Sequence, residues 1–142
     1  MDALANVLAD PARSGIYHLT REPHEIEKSA AAAGLAAWRI DIGHIHGRQD
    51  FLQKLAVALE FPERSGEGWN ALTDLSWRPG AGWVLVLEKS KHFAAGHRHE
   101  FDDAMAVLAD AASYWRGKGK AFWVLVGGAE GWSSGFPPLP QR

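Results

Sequence analysis

The sequence predicts an α/β fold in which a mostly parallel, four-stranded sheet carries packed helices. Three observations support this. Strand-like and helix-like segments alternate in the order β-α-β-α-α-β-α-β. Residues 83–87 (Trp-Val-Leu-Val-Leu) and 122–126 (Phe-Trp-Val-Leu-Val) are continuous apolar runs, the pattern of strands buried on both faces of a parallel sheet. Amphipathic helical stretches lie between the strands, as right-handed crossovers between parallel strands require.

The elements follow in order. Residues 1–13 form an N-terminal segment that is a short helix or disordered. Residues 15–19 read as a short strand. Thr20 is placed to cap the next helix, and Pro23 sits in its first turn, where a missing N–H costs nothing. That helix runs to about Ala33 and stops at Gly34. Residues 37–42 alternate and read as a strand. Residues 50–59 form an amphipathic helix with Phe51, Leu52, Leu55, Ala58 and Leu59 on one face. Phe61-Pro62 ends it. Residues 67–75 read as a shorter helix and residues 78–82 as a turn. Residues 100–115 form a helix with Phe101, Ala104, Met105, Leu108, Ala111, Ala112 and Trp115 on its buried stripe. Gly117 and Gly119 terminate it. The two apolar strands belong in the sheet interior and the Tyr17 strand nearer an edge. Residues 128–142 are a Pro-rich tail; Pro137, Pro138 and Pro140 exclude it from a sheet centre and predict a loose segment.

Composition bounds the function. The chain has 142 residues, 46% hydrophobic and 23% charged, which suits one globular domain with a real core. There is no cysteine, hence no disulfide framework or thiolate metal site. The N-terminus lacks a basic, apolar leader pattern, and no apolar run approaches a membrane span. A cytoplasmic protein without membrane contact is expected. The net charge of −2 argues against direct nucleic-acid binding and permits a basic protein partner. Seven tryptophans imply a mainly core role, with some exposed as interface anchors.

No catalytic set is complete. The seven histidines include His44-Ile45-His46 and His97-Arg98-His99, and an H-x-H pair on a strand can chelate zinc. The residues name no third ligand, so no metal and no cofactor is expected. There is no G-x-S-x-G elbow, and Ser133-Ser134-Gly135 lies in a tail expected to hold nothing rigidly. Gly117-Lys118-Gly119-Lys120 runs from helix to strand, the reverse of a phosphate cradle. No enzyme is expected.

The most informative stretch is residues 61–75. It leaves a helix through Phe61-Pro62, turns at Gly66, and starts a short helix with Trp69, Ala71 and Leu72 at core spacing. Residues 60–74 set four acids, Glu60, Glu63, Glu67 and Asp74, against Arg64 alone. Carboxylates near a helix N-terminus are also what the helix dipole favours.

Phe61-Pro62, Gly66, Trp69, Ala71-Leu72 and Asp74 resemble the inhibitory loop and helix of the barstar family, intracellular inhibitors of barnase-type ribonucleases. The resemblance takes in the preceding amphipathic helix, Leu75-Ser76-Trp77, the 83–87 strand, Tyr114-Trp115, Gly119 and the 122–126 strand, and covers roughly residues 39–127. It implies a single barstar-like domain over residues 14–127, in which residues 14–36 are an added strand-helix unit. It also implies a protein-binding inhibitor or immunity protein, monomeric alone, that blocks a ribonuclease active site. The partner would be a basic ribonuclease or nuclease toxin, whose cationic groups meet inhibitor carboxylates in place of RNA phosphates. The partner-binding surface implied is Glu63, Arg64, Glu67, Trp69, Asn70, Thr73 and Asp74. The alternative is a barstar-fold interaction module with a non-nuclease partner.

The chain departs from the family pattern at definite places. Arg64-Ser65 stands where members carry two aromatic residues, Asn70 where they carry an aspartate, and Tyr114 where they carry a later acidic contact. About four residues are missing near Thr73 to Leu75. Four residues rotate a helix by roughly 400°, so the apolar stripe returns to within about 40° after losing one turn. The fold tolerates that loss, whereas the carboxylates on the outer face are displaced.

Overall fold

The computed structural model describes residues 3–59, 82–128 and 131–139. Its elements are α1 (Ala3–Leu8), a single 3-10 turn (Pro11–Arg13), β1 (Ile16–His18), α2 (Pro23–Ala32), β2 (Ala36–Asp41), α3 (Arg48–Leu59), β3 (Gly82–Glu88), α4 (Lys91–Gly96), α5 (Arg98–Gly117) and β4 (Ala121–Val126). The expected helix over 67–75 lies outside the described residues, as does the expected turn up to residue 81; Gly82 opens β3.

The four strands form one all-parallel sheet in the order β1-β4-β3-β2. The two apolar strands are central and the Tyr17 strand is at an edge, as the run lengths predict. Period-two alternation divides β3 and β4 between two cores. Trp83, Leu85, Leu87, Phe122, Val124 and Val126 join the residues of α3, α4 and α5. Val84, Val86, Ala121, Trp123 and Leu125 join those of α1 and α2. Every β4 residue is buried, which is why its sequence reads as an unbroken apolar run.

The helices obey their patterns. All seven residues expected on the buried stripe of α5 are buried. On α3, Phe51, Leu55 and Leu59 are buried, and Leu52 and Ala58 are half-buried. Gly34 and Gly119 take φ of +80° and +76°, the left-handed geometry that ends a helix at low cost only for glycine. Pro23 occupies the first turn of α2, but the N-cap is Glu22, which makes no side-chain cap bond; Thr20 is two residues too early. The short helix α4 is unanticipated because only Phe93 and Ala94 of its six residues are buried, too few to set a periodicity.

The N-terminal segment forms a helix over Ala3–Leu8, with Leu4, Ala5, Val7 and Leu8 buried. The described part of the tail corrects an expectation: it is docked, not loose. The His18 N–H donates to the Pro137 carbonyl at 2.7 Å, the Leu139 N–H donates to the His18 carbonyl at 3.3 Å, and Leu139 is buried. Proline lacks a donor, but an edge needs only one side of the ladder, and the carbonyls and Leu139 supply it. Among the described residues, no helix is long and apolar enough to cross a membrane.

Candidate functional site

Glu63, Arg64, Glu67, Trp69, Asn70, Thr73 and Asp74 all lie in residues 60–81, outside the described residues. The structure gives the frame on either side. Residues 60–81 connect the last turn of α3 to the first residue of β3, at the amino end of the sheet. Both attachment points are buried in one core: Leu59 at 2% exposure and Trp83 at 2%. Gly82 is required there, because a Cβ would collide with the Ala121 carbonyl oxygen of the neighbouring strand.

Tyr114, the residue standing where family members carry a later acid, lies at this same end, near the C-terminus of α5. It is 43% exposed. Its ring packs edge-on to Trp115 at 5.0 Å, and Trp115 packs on Trp83 at 4.9 Å. Lys118 Nζ sits 5.5 Å from the Tyr114 ring centroid, and Lys120 Nζ 5.7 Å from that of Trp83. Cations suit the C-terminal end of a helix, and over aromatic faces they gain a modest cation–π attraction. Lys118 adds a positive charge beside the aromatic pair Tyr114 and Trp115. Val57, 73% exposed on α3, adds an apolar side chain a short way before residue 60.

The opposite, carboxyl end of the sheet holds two polar features. A cavity of about 630 Å³ opens beyond β1, β4 and β3, lined by His18, Arg21, Glu25, Glu88, Lys89 and Trp132 among others. One of its cations is engaged nearby: Lys89 Nζ lies 3.2 Å from Asp41. The Asp41 carboxylate also accepts the Gly43 N–H at 2.8 Å. That backbone bond first, then Lys89, holds its pKa below the ordinary value. On β2, Arg39 grips Glu88 through two 3.0 Å bonds, which with Glu27 of α2 raise its pKa further.

The second feature is a histidine cluster. Ring nitrogens of His46, His92 and His97 all lie within 4.8 Å of one another. Neither H-x-H pair lies on a strand: residues 44–46 are in the loop after β2, and His97 caps α4. The fold splits both pairs, taking one histidine from each and adding His92, which no spacing signal in the sequence marked. Ser134 likewise differs from expectation. It is held firmly, 2% exposed, with Oγ 2.9 Å from His18 Nδ1. Buried, and also accepting the Phe136 N–H at 3.3 Å, it fastens the tail to β1.

The family model described as barstar (barnase inhibitor) matches residues 35–127. No curated protein and no solved structure gives a significant match. The match begins just before β2 and ends just after β4, so α1, β1 and α2 lie outside it.

Proposed function

The chain belongs to the barstar family, and we propose that it is a protein-binding inhibitor or immunity protein that blocks a ribonuclease active site with the acidic segment at residues 60–74. The observation that carries this is the extent of the family match, residues 35–127, which includes that whole segment together with the core on both sides of it. Leu59, just before the segment, and Trp83, in the strand that follows it, are buried in one core. Glu63, Glu67 and Asp74 would meet cations that otherwise bind RNA phosphates, with Trp69, Asn70 and Thr73 completing the contact. Opposite charges across such an interface speed encounter, and the speed falls with salt.

The departures from the family pattern select among ribonucleases. Asn70 cannot form an ion pair, Arg64 repels a cationic site, and Tyr114 with Lys118 presents an aromatic, positive corner. The partner is therefore a basic ribonuclease whose site differs from that of barnase at the edge facing Tyr114.

The test is capture on the immobilised full chain, followed by an RNA-cleavage assay of whatever is eluted. A captured protein that cleaves RNA is expected. Capture confined to proteins without ribonuclease activity would reject the proposal and favour an interaction module with another partner.

A further inference from the structure

We propose that His46, His92 and His97 form a binding site for one Zn²⁺ ion, at the end of the sheet opposite the segment assigned to the partner. The ring centroids are 5.7, 6.0 and 6.0 Å apart, and the ring planes meet at 90°, 77° and 69°. Three imidazoles thus stand edge-on around one point, with one nitrogen of each within 4.8 Å of the others. Tetrahedral Zn–N bonds of about 2.0–2.1 Å put ligand nitrogens about 3.3 Å apart. His46 and His92 are exposed, which leaves their side chains room to rotate toward that spacing.

The backbone under each ring is fixed. His46 follows buried Ile45, and its N–H donates to Asp50 Oδ2 at 3.1 Å. The adjoining Arg48 N–H donates to Glu100 of α5 at 3.1 Å, so this loop is tied to the element that follows His97. His92 precedes Phe93, which is fully buried and stacks on Phe51 of α3 at 5.7 Å. His97 donates its N–H to the Phe93 carbonyl and accepts from Phe101 N–H through its own carbonyl, at 2.9 and 2.8 Å. Residues five apart on a regular helix face about 140° away from each other. His97 leaves helical geometry, with φ −135° and ψ 53°, and this break turns its ring toward His92.

The donor set selects the metal. Three neutral imidazole nitrogens suit Zn²⁺ and other late first-row ions, and exclude Mg²⁺ and Ca²⁺, which require oxygen ligands. Three histidines leave a fourth position to solvent. Two neighbouring cations are occupied elsewhere: Arg98 with Asp102, Lys89 with Asp41. Asp50 and Glu100 spend a carboxylate oxygen on backbone N–H groups. A bound ion would join the β2–α3 loop to both ends of α4.

The experiment titrates ZnCl₂ into chelator-treated full-length protein by isothermal calorimetry, with MgCl₂ as a second arm. One equivalent of Zn²⁺ and no Mg²⁺ is expected to bind. His92→Ala and His46→Ala, both exposed positions, are expected to weaken Zn²⁺ binding at least about tenfold, the lower end of what losing even an outer support costs. His99→Ala and His24→Ala are expected to bind as the unaltered chain does, and far-ultraviolet circular dichroism checks that every variant is folded. Absence of saturable Zn²⁺ binding, or equal binding by His92→Ala and the unaltered chain, would overturn the site.

Discussion

Trp123 of β4 donates its indole N–H to the carbonyl oxygen of Leu8 at 2.9 Å. Trp123 and Leu8 are both fully buried. The bond caps the last turn of α1, whose carbonyls have no partner within the helix. It also joins a strand inside the family match to a helix outside it. Trp123→Phe would leave the Leu8 carbonyl buried and unpaired. The expected loss is about 1–3 kcal/mol, read as a lower urea midpoint with an unchanged slope. An unchanged midpoint would mean that this bond contributes nothing to stability.

The tail is expected to matter in the same way. Leu139 is 2% exposed, beyond the edge strand β1 and in the core under α2. Leu139→Ala is expected to cost about 2 kcal/mol, the low end for a buried leucine, because an edge position relaxes more easily. Thermal unfolding measures it. A loss below about 0.5 kcal/mol, the scale of an ordinary surface change, would show the tail undocked in solution.

Asp41 supplies a pH test. The Gly43 N–H and then Lys89 hold its pKa below the ordinary 3.8. A carboxyl depressed by folding stabilises the fold fully above its unfolded value, and that contribution is lost as the pH falls through the lower folded value. Carbon-detected NMR titration should therefore find Asp41 titrating below 3.8. Because the side chain is half exposed, the effect on stability is small. A titration at or above 3.8 would show that the turn bond to Gly43 is not kept.

Asp74→Ala is expected to weaken partner binding by tenfold or more, equal to about 1.4 kcal/mol, without shifting the melting curve. Barnase itself should bind the unaltered chain weakly or not at all, because Asn70 and the lost turn remove carboxylates from its cationic site. Calorimetry at low salt, where electrostatic attraction is least screened, measures both. Nanomolar binding to barnase would show that neither departure matters.

Much of this architecture was legible before any coordinates. Strands β3 and β4 announce their central places because both faces are buried, so no polar residue interrupts either run. The stripe on α5 is legible because it repeats from Phe101 to Trp115. What escaped depends on contacts distant in sequence. The tail docks because His18 meets Pro137 and Ser134, more than a hundred positions later, and proline content alone suggests the opposite. The histidine cluster escaped because H-x-H spacing implies strand geometry, whereas the cluster depends on a helix that breaks at His97. The segment proposed to meet the partner, residues 60–74, is read only through its resemblance to the family and lies outside the described residues; Leu59 and Trp83 on either side of it are buried in one core.

The central claim is inhibition, and it is tested most directly by titrating the full chain into the ribonuclease it captures while RNA cleavage is measured. Cleavage should fall linearly to zero at one equivalent. The Asp74→Ala chain should need an excess to reach the same point. Full cleavage in the presence of saturating, bound chain would contradict the account, because the partner would then be held somewhere other than its active site.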